Sequence, residues 1–187
     1  MIMKSGVQPM NPRFTKIRRA SVALRVVVIL GMVGIVALLA MLIALPTALE
    51  AIVALDPGNI SEGGINRAER FGLWCVMVLA SLPTLYALNQ LRLLFTAYAQ
   101  GDILSARAAT CLSRFGQGLL AMCVAGVLAE TLKALVLTWG NVPGNRQLVL
   151  SASDSTYALA LMGGFMIVIG WAMSEAAAID SEMREIV

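Results

Sequence analysis

Twenty consecutive residues, Val26 to Leu45, carry no charge at all. At 1.5 Å per residue such a run crosses the ~30 Å hydrocarbon core of a bilayer as one α-helix. A helix is also the only way a single segment satisfies its own backbone polar groups there. Three further apolar runs follow, Phe71–Leu88, Phe115–Trp139 and Tyr157–Met173. The composition agrees: 59% of the 187 residues are apolar and only 13% charged. Ordinary soluble domains hold roughly 45–50% apolar residues, glycine included, and about 25% charged ones. A soluble enzyme, a disordered chain and a disulfide-stapled module are excluded. The expected fold is all-α: a polytopic integral membrane protein of four transmembrane helices.

The first run is too long for a signal-peptide core of ~7–15 residues, and Pro46-Thr47-Ala48-Leu49-Glu50 offers no A-x-A-like cleavage site, so it is read as a retained span. The expected organisation is a basic N-terminal segment, residues 1–20, followed by a four-helix domain, 21–187. Its spans lie near 26–45, 71–90, 115–139 and 157–174, with a hairpin at 90–115 and a tail at 175–187. Asp56-Pro57-Gly58-Asn59 and Asn141-Val142-Pro143-Gly144-Asn145 are turn chemistry. Gly101-Asp102 separates the second and third helices, and Ser105 is placed to cap the third.

Arginine and lysine set the orientation. Lys4, Arg13, Lys16, Arg18, Arg19, Arg25, Arg92, Arg107, Arg114 and Arg184 fall on one side, against Arg67, Arg70 and Arg146 on the other. Basic residues stay cytoplasmic, so both termini are expected inside, in an inner (plasma) membrane. The basic N-terminus has no DNA-reading motif, and attraction to anionic lipid explains it without nucleic acid.

The helices also outrun the bilayer. Phe71 to Gln100 and Ser105 to Trp139 correspond to about 45 and 52 Å. Leu91, Leu94, Phe95 and Tyr98 recur at i, i+3, i+4 and i+7 in the excess. Glu175, Asp180, Glu182 and Glu185 are interleaved with alanine and other good helix formers. Helices two, three and four are therefore expected to extend into the cytoplasm as a helical collar. Flat interfacial anchoring is the alternative reading.

Candidate chemistry is sparse. There is no histidine, and Cys75, Cys111 and Cys123 lack metal or redox spacing, so each reads as a small core residue. No nucleotide-binding, zinc-protease or serine-hydrolase motif occurs, and neither an enzyme nor a cofactor is expected. Glu130 and Lys133, three apart inside the third span, form the polar feature of the membrane region. Charge at that depth pairs, lines a wet cavity or carries function. An intrahelical ion pair is the plainer reading, and an ion or ligand site the sharper one. Pro83 is expected to kink the second helix, with Ser81 and Thr84 repairing freed backbone groups. Asn89 and Gln90 are positioned to bond across helices. Gly31 and Gly34, the Gly116–Ala129 stretch, and Gly163, Gly164 and Gly170 allow close helix approach, within the bundle or in a homo-oligomer. Trp74, Trp139, Trp171 and Tyr157 suit aromatic belts.

Leu85-Tyr86-Ala87-Leu88-Asn89-Gln90-Leu91-Arg92, Gly101-Asp102-Ile103-Leu104-Ser105 and Leu112-Ser113-Arg114-Phe115-Gly116, with the closing Ile179-Asp180-Ser181-Glu182-Met183-Arg184-Glu185-Ile186-Val187, resemble the bacterial membrane family catalogued as domain of unknown function 2975. The resemblance covers Phe71 to the C-terminus, with Leu104 where phenylalanine is expected. It implies a four-span protein without established catalysis, often encoded beside small helix-turn-helix regulators, and hence a cytoplasmic DNA-binding partner. The expected function is a non-enzymatic regulator or scaffold that docks this partner through the hairpin and tail, with Arg107, Arg114, Glu182 and Glu185 in the contact. The alternatives are a small transporter or channel built on Glu130, and an accessory subunit of a larger membrane complex.

Overall fold

The computed structural model describes residues 12–45, 67–100, 105–138 and 154–185, with side chains over 20–45, 67–100, 105–136 and 154–179. Among these residues there are four α-helices and no strand: α1 Pro12–Ala44, α2 Arg67–Gln100, α3 Ala106–Thr138 and α4 Asp154–Glu185. The turns expected around Asp56, Gly101 and Asn141, together with Lys4 and Trp139, lie outside the described residues. Pro12 begins α1, as suits a residue whose missing N–H costs nothing at a helix start. The basic segment is continuous with the helix whose Ala20–Ala44 stretch is long and apolar enough to cross a membrane. From Pro12 onward it is the first turns of one 33-residue helix.

Ser105 caps α3 as expected. Its Oγ accepts the Ala108 N–H at 3.2 Å and its carbonyl accepts the Ala109 N–H at 3.1 Å. The first bond satisfies a donor that has no partner within the helix, and the second is the first i→i−4 bond of α3. Pro83 sits inside α2 without ending it. Its ring removes the bond to the Leu79 carbonyl, and the Ser81 hydroxyl donates instead to Val78 O at 2.7 Å, so it does not make the expected repair.

Each helix runs antiparallel to the next and packs on it, α1 on α2, α2 on α3 and α3 on α4, and no other pair makes more than a marginal contact. The expected four-helix bundle is therefore an open row, with α1 and α4 at its two margins. Trp74 Nε1 donates to Leu39 O at 3.3 Å, and Leu42 and Leu73 meet in a small core with Trp74, Met77 and Val136. This fixes the end of α1 beside the start of α2. At the opposite end Leu94, Ala108 and Cys111 form a second core, joined by Leu91, Tyr98 and Leu112. The two cores clamp α2 at both extremities.

Glycines set the distance between α3 and α4. A Cβ on Gly116 would lie 2.6 Å from Gly163 O, and one on Gly170 2.8 Å from Ser113 N. These helices touch backbone to backbone. Gly118 faces Ala87 on α2 instead, while a Cβ on Gly31, Gly34, Gly126 or Gly164 would meet nothing within 4 Å among the described residues. The small residues of α3 thus point in three directions rather than forming one surface.

Large apolar side chains are exposed along all four helices, among them Val27, Leu79, Val124 and Leu161, the last 77% exposed. Soluble monomers rarely show contiguous apolar patches beyond a few hundred Å². All four helices are long and apolar enough to cross a membrane. Hydrocarbon is the solvent that suits this surface.

Candidate functional site

Polar side chains in the apolar part of the helices are few, and the pair on α3 stands out. Lys133 Nζ donates to Glu130 Oε1 at 2.6 Å, an i,i+3 ion pair whose side chains are half-buried. Helical spacing alone brings the two together, with no group from another helix needed. Pairing cancels the net charge that would make either residue costly in hydrocarbon. Among the described residues no three acidic, cysteine or histidine side chains converge as a metal site would need.

Below this pair a groove of about 330 Å³ lies between α2 and α3. Val76, Leu79, Ala80, Leu82 and Pro83 form one wall, and Ala125, Leu128, Ala129 and Leu132 the other. The three alanines leave the space, and Pro83 lines its end nearest the middle of α2. Sequence reasoning missed this groove. Its signal was the coincidence of alanines on two helices, which has no meaning until the register between them is known.

At the end where α2 meets α3, Gln90 is buried to 6% exposure, and its Oε1 has no hydrogen-bond partner. The expected cross-helix bond through that oxygen is not formed. Arg107 and Arg114 are both exposed, and neither guanidinium has a hydrogen bond or ion pair among the described residues. Thr110 and Gln117 are exposed on the same side, so 107, 110, 114 and 117 form one polar stripe at i, i+3, i+7 and i+10. Sequence spacing could have shown this stripe. Glu182 and Glu185 fall in the last turns of α4, where the backbone but not the side chains is described. Antiparallel packing brings that end of α4 to the same end of the row as Arg107.

The cysteines divide. Cys111 is buried in the second core, and Cys123 Sγ lies 3.3 Å from Leu119 O and 3.4 Å from Thr156 O. Cys75 is exposed, contrary to the expectation of a core residue. In hydrocarbon an exposed thiol of that size is tolerated as an apolar group. Trp74 is tied into the α1–α2 seam, whereas Trp171 and Tyr157 are exposed.

The model of the family described as a protein of unknown function (DUF2975) matches residues 45–187, which takes in α2, α3 and α4 whole. The chain belongs to this family. Membership extends the resemblance, expected from Phe71 to the C-terminus, back to Leu45, and leaves the whole of α1 outside it. No curated protein and no solved structure matches the chain.

Proposed function

We propose that this DUF2975 protein is a non-enzymatic scaffold or regulator of a bacterial inner membrane, with both termini in the cytoplasm, that holds a cytoplasmic partner on the α2–α3 hairpin end and the tail of α4. The observation that carries this reading is the stripe of Arg107, Thr110, Arg114 and Gln117, exposed and with both arginines unpaired among the described residues. With 34 and 33 residues, α2 and α3 are about 50 Å long, some 20 Å more than the hydrocarbon takes up. The basic excess assigns the hairpin end to the cytoplasm. There a row of unpaired guanidiniums beside the acidic turns of α4 presents both charge signs to a partner, which steers encounter and fixes register. A small helix-turn-helix regulator is the partner class that the family resemblance implies.

The test is reversal of Arg107, Arg114, Glu182 and Glu185 together, followed by co-purification from native membranes. A companion protein that elutes with the wild type should be lost from the variant at unchanged expression. Equal recovery would remove the docking surface from consideration. Reporter fusions at residues 1 and 187 check the orientation independently. Transport through Glu130 is the weaker reading: its carboxylate is already engaged by Lys133, and the groove beside it is lined by apolar side chains. Loss of flux in Glu130→Gln vesicles would restore it.

A further inference from the structure

The groove between α2 and α3 has the shape of something narrower than a protein segment. An α-helix with its side chains is about 10–12 Å across, and a space of about 330 Å³ running beside eight residues of α2 does not admit one. An extended alkyl chain fits that space. The walls are aliphatic throughout, so no polar ligand gains anything there. An empty groove would forfeit dispersion contacts along both helices.

The two ends of the groove differ. At the end nearest the middle of α2 the groove is lined by Leu82 and Pro83. Towards the other end, where α2 starts and α3 finishes, Lys133 stands one turn beyond the lining residue Ala129 on the same side of α3. The Lys133 ammonium gives one of its three protons to Glu130 and keeps two. The segment from Val76 to Pro83 rises about 10 Å, about two thirds of the ~15 Å depth of one leaflet. A polar head at Lys133 thus places an attached chain along the groove, ending near Pro83.

We propose that the groove binds one acyl chain of a phospholipid from the leaflet at that end, its phosphate held by the two free protons of Lys133. Bulk lipid also wets open apolar surface. The cationic grip at the mouth makes this molecule a retained one.

The full chain is reconstituted into vesicles of phosphatidylethanolamine and phosphatidylglycerol, extracted into mild detergent and weighed by native mass spectrometry. The wild type should keep one phospholipid per chain. Ala129→Phe, which fills the groove, and Lys133→Gln, which removes the grip, should each lower its occupancy by about tenfold. Ala80→Phe blocks the groove from the opposite wall and serves if Ala129→Phe loses its helical circular dichroism. A wild type free of phospholipid, or a folded variant that keeps it at wild-type occupancy, overturns the proposal. So does a dimer that Ala129→Phe dissociates, because the occupant would then be a second copy.

Discussion

Replacing Gly116 with alanine tests the closest approach in the row. The added Cβ would stand 2.6 Å from Gly163 O, 2.8 Å from Ile167 Cγ1 and 2.9 Å from Ile167 N. Two of these three atoms are backbone, which cannot rotate away, so α3 and α4 must separate. Overpacking of this kind costs about 1–3 kcal/mol, and backbone neighbours point to the upper part of that range. Alanine also returns about 1 kcal/mol of helix propensity. Gly126→Ala, on the same helix with nothing within 4 Å, receives the propensity gain without the clash. The difference between the two variants isolates the clash at about 2 kcal/mol, roughly thirtyfold in the unfolding constant. Reversible unfolding in mixed micelles of increasing SDS fraction, followed by helical circular dichroism, measures it. Gly116→Ala should unfold at lower SDS than the wild type, and Gly126→Ala at the same or higher SDS. Equal stability of the two variants would refute the backbone-to-backbone crossing of α3 and α4.

The remaining predictions concern the cores, the cap and the ion pair. Leu73, with 0% exposure, should cost about 2–5 kcal/mol when cut to alanine, read by the same SDS titration. Ser105→Ala should cost about 1 kcal/mol and speed hydrogen exchange at the Ala108 amide, while amides in the middle of α3 stay protected. Lys133→Met leaves the Glu130 carboxylate without its partner and should destabilise by about 1–3 kcal/mol, less than a fully buried pair because both side chains are half-exposed. The double variant Glu130→Gln with Lys133→Met should recover most of that loss. A double variant less stable than Lys133→Met alone would show that the carboxylate has another role.

Four elements of the fold were readable along the chain because their causes are local. The helices follow from uninterrupted apolar runs, and the Ser105 cap from a hydroxyl just before a helix start. The Glu130–Lys133 pair follows from i,i+3 spacing, and the first turns of α1 could have been read from Pro12. Gln90 was recognisable as polar at a helix boundary, but nothing along the chain showed that its carbonyl would be buried without a donor. Cys75 and Cys111 look alike in sequence, and one is exposed while the other is in a core.

The sequence by itself determined that the described residues hold four membrane-length helices, roughly where each lies, and which charges meet along one helix. Tertiary structure alone decided that the helices stand in an open row, that Gly116 touches Gly163 while a Cβ on Gly31 or Gly126 would meet no described residue, and that alanines from α2 and α3 meet around a groove. In water, polarity marks which side of a helix turns inward. In a bilayer the lipid tails are as apolar as the protein interior, so hydrophobicity is the same on both sides and only shape, read between helices, chooses the packed face.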